Sequence, residues 1–186
     1  MVMMVVVIAV IVGLWAVVIY NSLVRLRVLS DNAWADIDVQ LKRRHDLIPN
    51  LVEAVKGAAG YERGTLDAVV AARSRAMAAQ GPAARGEAEG VLAAALGKVF
   101  ALAEAYPQLR AVENFGQLQV TLAQIEDAIQ NARRYYNAVV RDLNTRIQQF
   151  PANLVAGMFG FSPREFFQLE AEGERQVPVV NVSTNR

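Results

Sequence analysis

Apolar positions follow two regimes along this chain. Val2 to Tyr20 reads VMMVVVIAVIVGLWAVVIY without a charged side chain, and the first charge is Arg25. A run of about 20 apolar residues is long enough to cross a bilayer as a helix, where the backbone has to satisfy its own hydrogen bonds. From Leu23 onward the apolar residues recur instead at steps of three and four, the spacing of one helix face. Leu23, Leu26, Ser30, Ala33, Trp34, Ile37, Leu41, Arg44 and Ile48 hold that face, and neither Gly nor Pro interrupts Asn21 to Ile48. The pattern predicts an anchor helix that runs straight into the first helix of a bundle.

Three further helices follow. Pro49 is either a kink or the first turn of a new helix, and the glycines at 57 and 60 offer a second place for that turn. Leu51, Val52, Val55, Leu66, Val69, Val70, Arg73 and Met77 form the second periodic stretch. Gln80 to Gly86, rich in turn residues, separates it from a third through Leu92, Leu96, Val99, Phe100 and Ala103, which ends near Tyr106-Pro107. The fourth is the longest: Phe115, Leu118, Leu122, Ile125, Ile129, Ala132, Tyr136, Val139, Leu143, Ile147 and Phe150. No stretch alternates with a period of two between turns. The expected fold is all-α: an amino-terminal transmembrane helix (1–22), an up-and-down four-helix bundle with long helices (23–150), and a carboxy-terminal part (151–186). In that last part a short helix is expected from Ser162, with Pro163 and Glu165 in its first turn, followed by an extended tail at Val177 to Val182.

Composition explains the split. Hydrophobic residues make up 54% of the 186 residues, above the roughly 45–50% of a soluble domain, and the surplus lies in the first twenty positions. A cleaved signal peptide is the competing reading of that run. It needs a basic start and a small-x-small cleavage site, whereas the Met1 side has no Lys or Arg and the far end reads VVIYNSL, which favours an uncleaved anchor. Trp15 and Tyr20 suit a membrane interface, and Arg25 and Arg27 just beyond place the body in the cytoplasm with the amino terminus outside, at the inner membrane. Ala9 and Gly13 form a small-xxx-small pair that suits two packed anchors, although such pairs also occur in monomeric ones. The net charge of +1 offers no basic field for nucleic acid, and without cysteine there is neither a disulfide framework nor a thiolate metal site.

The candidate chemistry is sparse. His45 is the sole histidine; it lacks a Glu three residues before it, and neither a G-x-S-x-G elbow nor a phosphate loop accompanies it. It is expected at a helix bend or facing solvent, without catalytic, cofactor or metal-binding duty. Arg44 and Arg73 stand where the period asks for an apolar residue. Each should either reach out to water or meet a carboxylate, and Glu104 and Glu126, flanking the later apolar stripes, are the candidate partners. On the fourth helix Glu126, Gln130, Arg133, Asn137 and Asn144 form a polar stripe with Tyr135 beside it. Either it is a polar layer or solvated face of an ordinary bundle helix, which is the preferred reading, or it is a groove that binds a partner segment through amide and phenol hydrogen bonds.

Taken in order, several short segments form a recognisable series. They are Tyr20-Asn21, Trp34, Asp38 to Arg44, Leu47-Ile-Pro-Asn-Leu-Val52, Ala72-Arg73, Glu104-Ala-Tyr-Pro107, Asn114-Phe115, Leu118-Gln119, Glu126, Arg133, Tyr136-Asn137, Asn144, Phe150-Pro151 with Asn153, Phe159-Gly-Phe161 and Phe166-Phe167. From Tyr20 to about Phe167 the chain resembles the LemA family of bacterial single-pass membrane proteins. Leu143 departs from it, since such proteins often carry Tyr before that Asn. The resemblance implies an amino-terminal anchor, a cytoplasmic helical bundle and no catalytic residues to carry over, and a magnetosome-associated relative points to membrane-organising work. The expected function is therefore a non-enzymatic scaffold that contacts membrane lipid and self-associates to organise or shape membrane. The alternative is a regulatory adaptor for another membrane protein such as a protease or sensor kinase. No small-molecule substrate is expected in either case.

Overall fold

The computed structural model describes residues 1–58, 63–106 and 113–168. Among them are five helices and no strand: α1 (Val2–Ala58), α2 (Arg63–Ala78), α3 (Pro82–Ala105), α4 (Glu113–Gln148) and α5 (Ala152–Met158). The fold is all-α, with the anchor and the first bundle helix fused in α1. This helix of 57 residues would reach about 85 Å at 1.5 Å per residue. Pro49 lies inside it, so the proline is not the turn between the first two bundle helices, and the alternative at Gly57 to Gly60 reaches into residues outside those described. The helix α3 opens on Pro82 directly after Gly81, whose φ of 81° suits a residue without Cβ, and the fixed φ of proline suits a first helical position.

The bundle is not uniform along its length. The most extensive helix pairing joins α1 to α4, while α2 and α3 pair with each other and, being shorter, cover only the half away from the anchor. Three apolar layers result. In the distal layer Ile48, Leu51 and Val55 of α1 meet Leu66 and Val69 of α2, Leu92 and Val99 of α3, and Phe115 and Leu122 of α4. The middle layer joins Ala33, Ile37 and Leu41 to Ile129, Tyr136 and Val140, and its remaining face is closed by Phe167. The basal layer joins Ile19 and Leu23 to Leu143 and Ile147, covered by Ala152, Val155 and Ala156 of α5.

The carboxy-terminal part differs from expectation. The short helix forms at Ala152–Met158, and Ser162 to Gln168 is a strap with no helix, laid along α4 and against the start of α3. Two causes combine. Val155 and Ala156 complete the basal layer from a helix, whereas the backbone of 164–167 is taken by side chains of α4 and so is not free for intrahelical bonds. The strap thus completes the core that 23–150 leaves open. The tail Val177 to Val182 lies outside the described residues.

The strap passes so close to α3 that a Cβ on Gly86 would overlap the carbonyl oxygen of Gln168. Gly97, on the same helix, has open space around it. In a helix interior Gly to Ala ordinarily stabilises by about 1 kcal/mol. Denaturant unfolding of the full chain in detergent should therefore show Gly97→Ala gaining stability and Gly86→Ala losing it, with faster amide exchange at Phe167 in the second variant alone. Equal gains at both sites would show that the strap does not press on α3.

Candidate functional site

Between the distal and middle layers the helical period of α1 delivers Arg44 and His45 to the bundle interior. Both are buried, Arg44 to 1% exposure, so their polar atoms need partners inside, and of the guanidinium nitrogens only Nε finds none. Arg44 Nη2 donates to Glu89 Oε2 at 2.6 Å and to the Glu89 carbonyl at 3.1 Å, and Nη1 donates to Glu126 Oε2 at 2.5 Å. Glu89, on α3, is fully buried, and its other oxygen accepts from His45 Nε2 at 2.7 Å; a carboxylate ionised towards Arg44 only accepts, so Nε2 carries the proton. Glu126 is shared with Gln130, whose Nε2 donates to Oε1 at 2.8 Å. Three helices are thus held in register by one guanidinium.

The fourth helix joins through a vacancy left by Pro49. Proline has no N–H, so the carbonyl four residues earlier, that of His45, loses its helical donor. Arg73 Nε on α2 donates to that oxygen at 2.8 Å. Arg73 therefore interrupts its apolar stripe to satisfy a backbone acceptor, not a carboxylate. Glu104 as a candidate partner of either arginine is corrected: it is exposed near the end of α3, and among the described residues Arg73 enters no ion pair. His45 is likewise corrected in one respect, since it is buried and does not face solvent.

The polar stripe of α4 lies next to this cluster and is occupied by the chain's own strap. Asn144 clasps residue 164, with Nδ2 donating to the Arg164 carbonyl and Oδ1 accepting its N–H, each at 2.8 Å. Asn137 does the same to Phe167 at 3.0 Å in both directions. Tyr136 Oη donates to the Glu165 carbonyl at 2.9 Å, and burial pushes its phenol above the ordinary value, keeping it a donor. Phe167 is then enclosed beside Trp34, whose ring lies 5.6 Å from it and 5.4 Å from Tyr136. Arg85 stacks over Trp34 and pairs with Asp38, fixing the start of α3 to α1, while Arg164 pairs with Asp31 at 2.6 Å. The stripe is a binding groove whose occupant is intramolecular. Tyr135 points out to solvent, and Arg133 is half-buried without an ion pair among the described residues.

At the other end, Trp15 is exposed on the bare part of α1, and Tyr20 packs its ring 4.7 Å from Phe159 and 5.8 Å from Phe161. Arg25 and Arg27 are exposed just beyond. Among the described residues no group of three His, Asp or Glu side chains is suited to a metal ion.

The sequence profile of the LemA family matches residues 33–182. This chain belongs to the LemA family. Over 90 residues, 48% of the chain, it is 32% identical to the magnetosome proteins MamQ 1 and MamQ 2 of Paramagnetospirillum magneticum and 28% identical to MamQ of Magnetospirillum gryphiswaldense. The match spans 33% of the length of these relatives. With the family shown and the apolar start of α1 in place, the chain is a membrane-associated helical protein.

The LemA-like segments gain physical meaning from the geometry. Leu47-Ile-Pro-Asn and Ala72-Arg73 belong together because Arg73 answers Pro49. Tyr136-Asn137, Asn144 and Phe166-Phe167 belong together because the amides hold the strap. Leu143, the departure from the family, fills the basal layer against Leu23 and Val155, and no phenol supplements Asn144 as Tyr136 supplements Asn137. Sequence reasoning missed Glu89. The available signal was its register, since Glu89, Leu92, Leu96, Val99 and Ala103 continue one apolar face at steps of three and four, the same test that singled out Arg44.

Two sets of variants test this account by denaturant unfolding of the full chain. Glu89→Leu, which leaves a buried guanidinium without its main partner, should cost about 3–5 kcal/mol. Glu126→Ala, at a carboxylate 37% exposed, should cost about 1 kcal/mol; equal losses would show that burial does not set the difference. Arg73→Ala should cost about 1–3 kcal/mol by orphaning the His45 carbonyl. The same change in a Pro49→Ala background should cost clearly less, because an N–H at 49 can take over that acceptor, and strict additivity in the cycle would refute the pairing.

Proposed function

We propose that this chain is a non-enzymatic, membrane-anchored helical scaffold that self-assembles to organise or shape the membrane, with its amino terminus outside and its bundle in the cytoplasm. The observation that carries the reading is the continuity of α1. One helix serves as both anchor and longest bundle wall, so the bundle cannot swivel freely on its tether and its outer faces are presented at a set angle to the bilayer. A loosely tethered domain would need a linker at this point, and Asn21 to Ile48 contains neither Gly nor Pro. Orientation follows from Arg25 and Arg27, which flank the apolar run on the bundle side.

Two further facts support an organising role over a chemical one. Both Nη atoms of Arg44, the Nε2 of His45, the carboxylate of Glu89 and the amide of Asn137 are engaged with one another, with Glu126 or with the strap, so these groups hold the bundle together. The likeness to proteins named for the magnetosome points the same way. An adaptor that recruits a partner through the polar stripe would have to displace the strap first, which makes it the second reading.

Photocrosslinking in native membranes separates the two. A photoreactive phenylalanine derivative at Tyr135 or Val120, both exposed on the outer face of α4, should give a ladder of self-adducts, and extraction in mild detergent should give large assemblies. Foreign adducts with small detergent species would favour the adaptor, and no adducts from either position would refute assembly through this face.

A further inference from the structure

Ile19 and Leu23 are buried in the basal layer and Ala16 packs against it, so the bundle begins inside the apolar run of α1. The base of the bundle therefore lies at the level of that run, and it is built to meet a membrane there. Phe150 to Phe161 contains no charged residue. While Ala152, Val155 and Ala156 of α5 face inward, Phe150, Leu154, Met158 and Phe159 face out, with Phe150 79% and Met158 81% exposed. Exposed side chains of this size on one short segment need an apolar neighbour.

The level of these residues is fixed by contact. Tyr20 stacks on Phe159 and Phe161, so the outer face of α5 lies where α1 passes from lipid into the bundle. Arg25 and Arg27 project from α1 above it, and Arg146 stands one turn of α4 before Phe150. Aromatic and aliphatic groups with arginines on the next turns of α1 and α4 match the division of a bilayer interface, with acyl chains beneath and anionic headgroups above.

We propose that α5 and its flanks form a second membrane contact, a shallow apolar foot at which Phe150, Leu154, Met158 and Phe159 insert among the outermost acyl carbons beside the anchor. The foot rests on the anchor reading, and it makes the membrane a wall of the basal layer. Two attachments, one deep and one lateral, fix the tilt of the bundle where a single helix leaves it free to rock.

The absence of cysteine allows single environment-sensitive labels on the full chain, reconstituted at low density into vesicles of phosphatidylcholine and phosphatidylglycerol with brominated acyl chains. Labels at Val10→Cys, Met158→Cys and Glu53→Cys report anchor, foot and distal end, the last about 50 Å along α1 from Tyr20. The foot predicts lipid quenching at Met158 several-fold above that at Glu53, with Met158 shielded from aqueous iodide. Iodide quenching at Met158 equal to that at Glu53, with Val10 quenched by lipid, would overturn the foot and leave the anchor standing. Protection of Met158 from both quenchers, with disulfide-linked pairs forming between chains when the unlabelled Met158→Cys variant is oxidised, would assign the patch to a second copy and overturn it equally. Lack of lipid quenching at Val10 would overturn the anchor and the foot together.

Discussion

A guanidinium placed inside a helical bundle has to be met by carboxylates or it unfolds the site, and Arg44 imposes that demand on two other helices at once. The hydrogen-bonding atoms of Arg44 fix where Glu89 on α3 and Glu126 on α4 must lie, to within a hydrogen-bond length. Apolar layers alone would tolerate a slip of one helix along another, because Leu, Ile and Val surfaces are similar from turn to turn. The ionic layer does not, since moving α3 by one turn would separate Glu89 from both Arg44 and His45. Such a layer contributes less to stability than its distances suggest, because both charges lose their water. What it contributes is register. The Pro49 and Arg73 pair then ties α2 to the same level through a backbone acceptor.

With register set in the upper half, the lower half has only two helices, and the carboxy-terminal part supplies the remainder. Asn137 and Asn144 treat the strap as a neighbouring strand would, each offering one donor and one acceptor to the same residue's backbone. Phe167 fills the middle layer as a result, and α5 closes the bottom. Arrangement of the bundle, strap and foot therefore descends from a single requirement, that α1 and α4 have covered faces where α2 and α3 do not reach.

Much of this was legible in the sequence and some was not, for identifiable reasons. The apolar run, the helices and the choice of Arg44 and Glu126 as candidates for a buried contact follow from period, because a helix repeats its environment every three or four residues and a misplaced charge stands out. Glu89 obeys the same rule and was overlooked among the Ala and Gly of early α3, where small residues weaken the contrast between faces. The order of the strap was not legible. Its conformation is set by amides from α4, roughly twenty to thirty residues earlier in the chain, and Ser162-Pro-Arg-Glu165 carries a local helix-start pattern that tertiary hydrogen bonds override. Equally hidden was the role of Arg73, whose partner is a carbonyl freed by a proline and not a side chain of opposite charge.

The pairing of α1 with α4 also has a consequence in time. During synthesis α1 leaves the ribosome well before α4, the helix that covers its middle and base, with α2 and α3 made in between. Throughout that interval Leu23, Ile37 and Leu41 lack their α4 neighbours, and the nascent chain carries an uncovered apolar rail. Contacts so distant in sequence close late. A protein of this design depends on something to cover that rail during elongation, and the membrane surface beside it is the nearest apolar medium available.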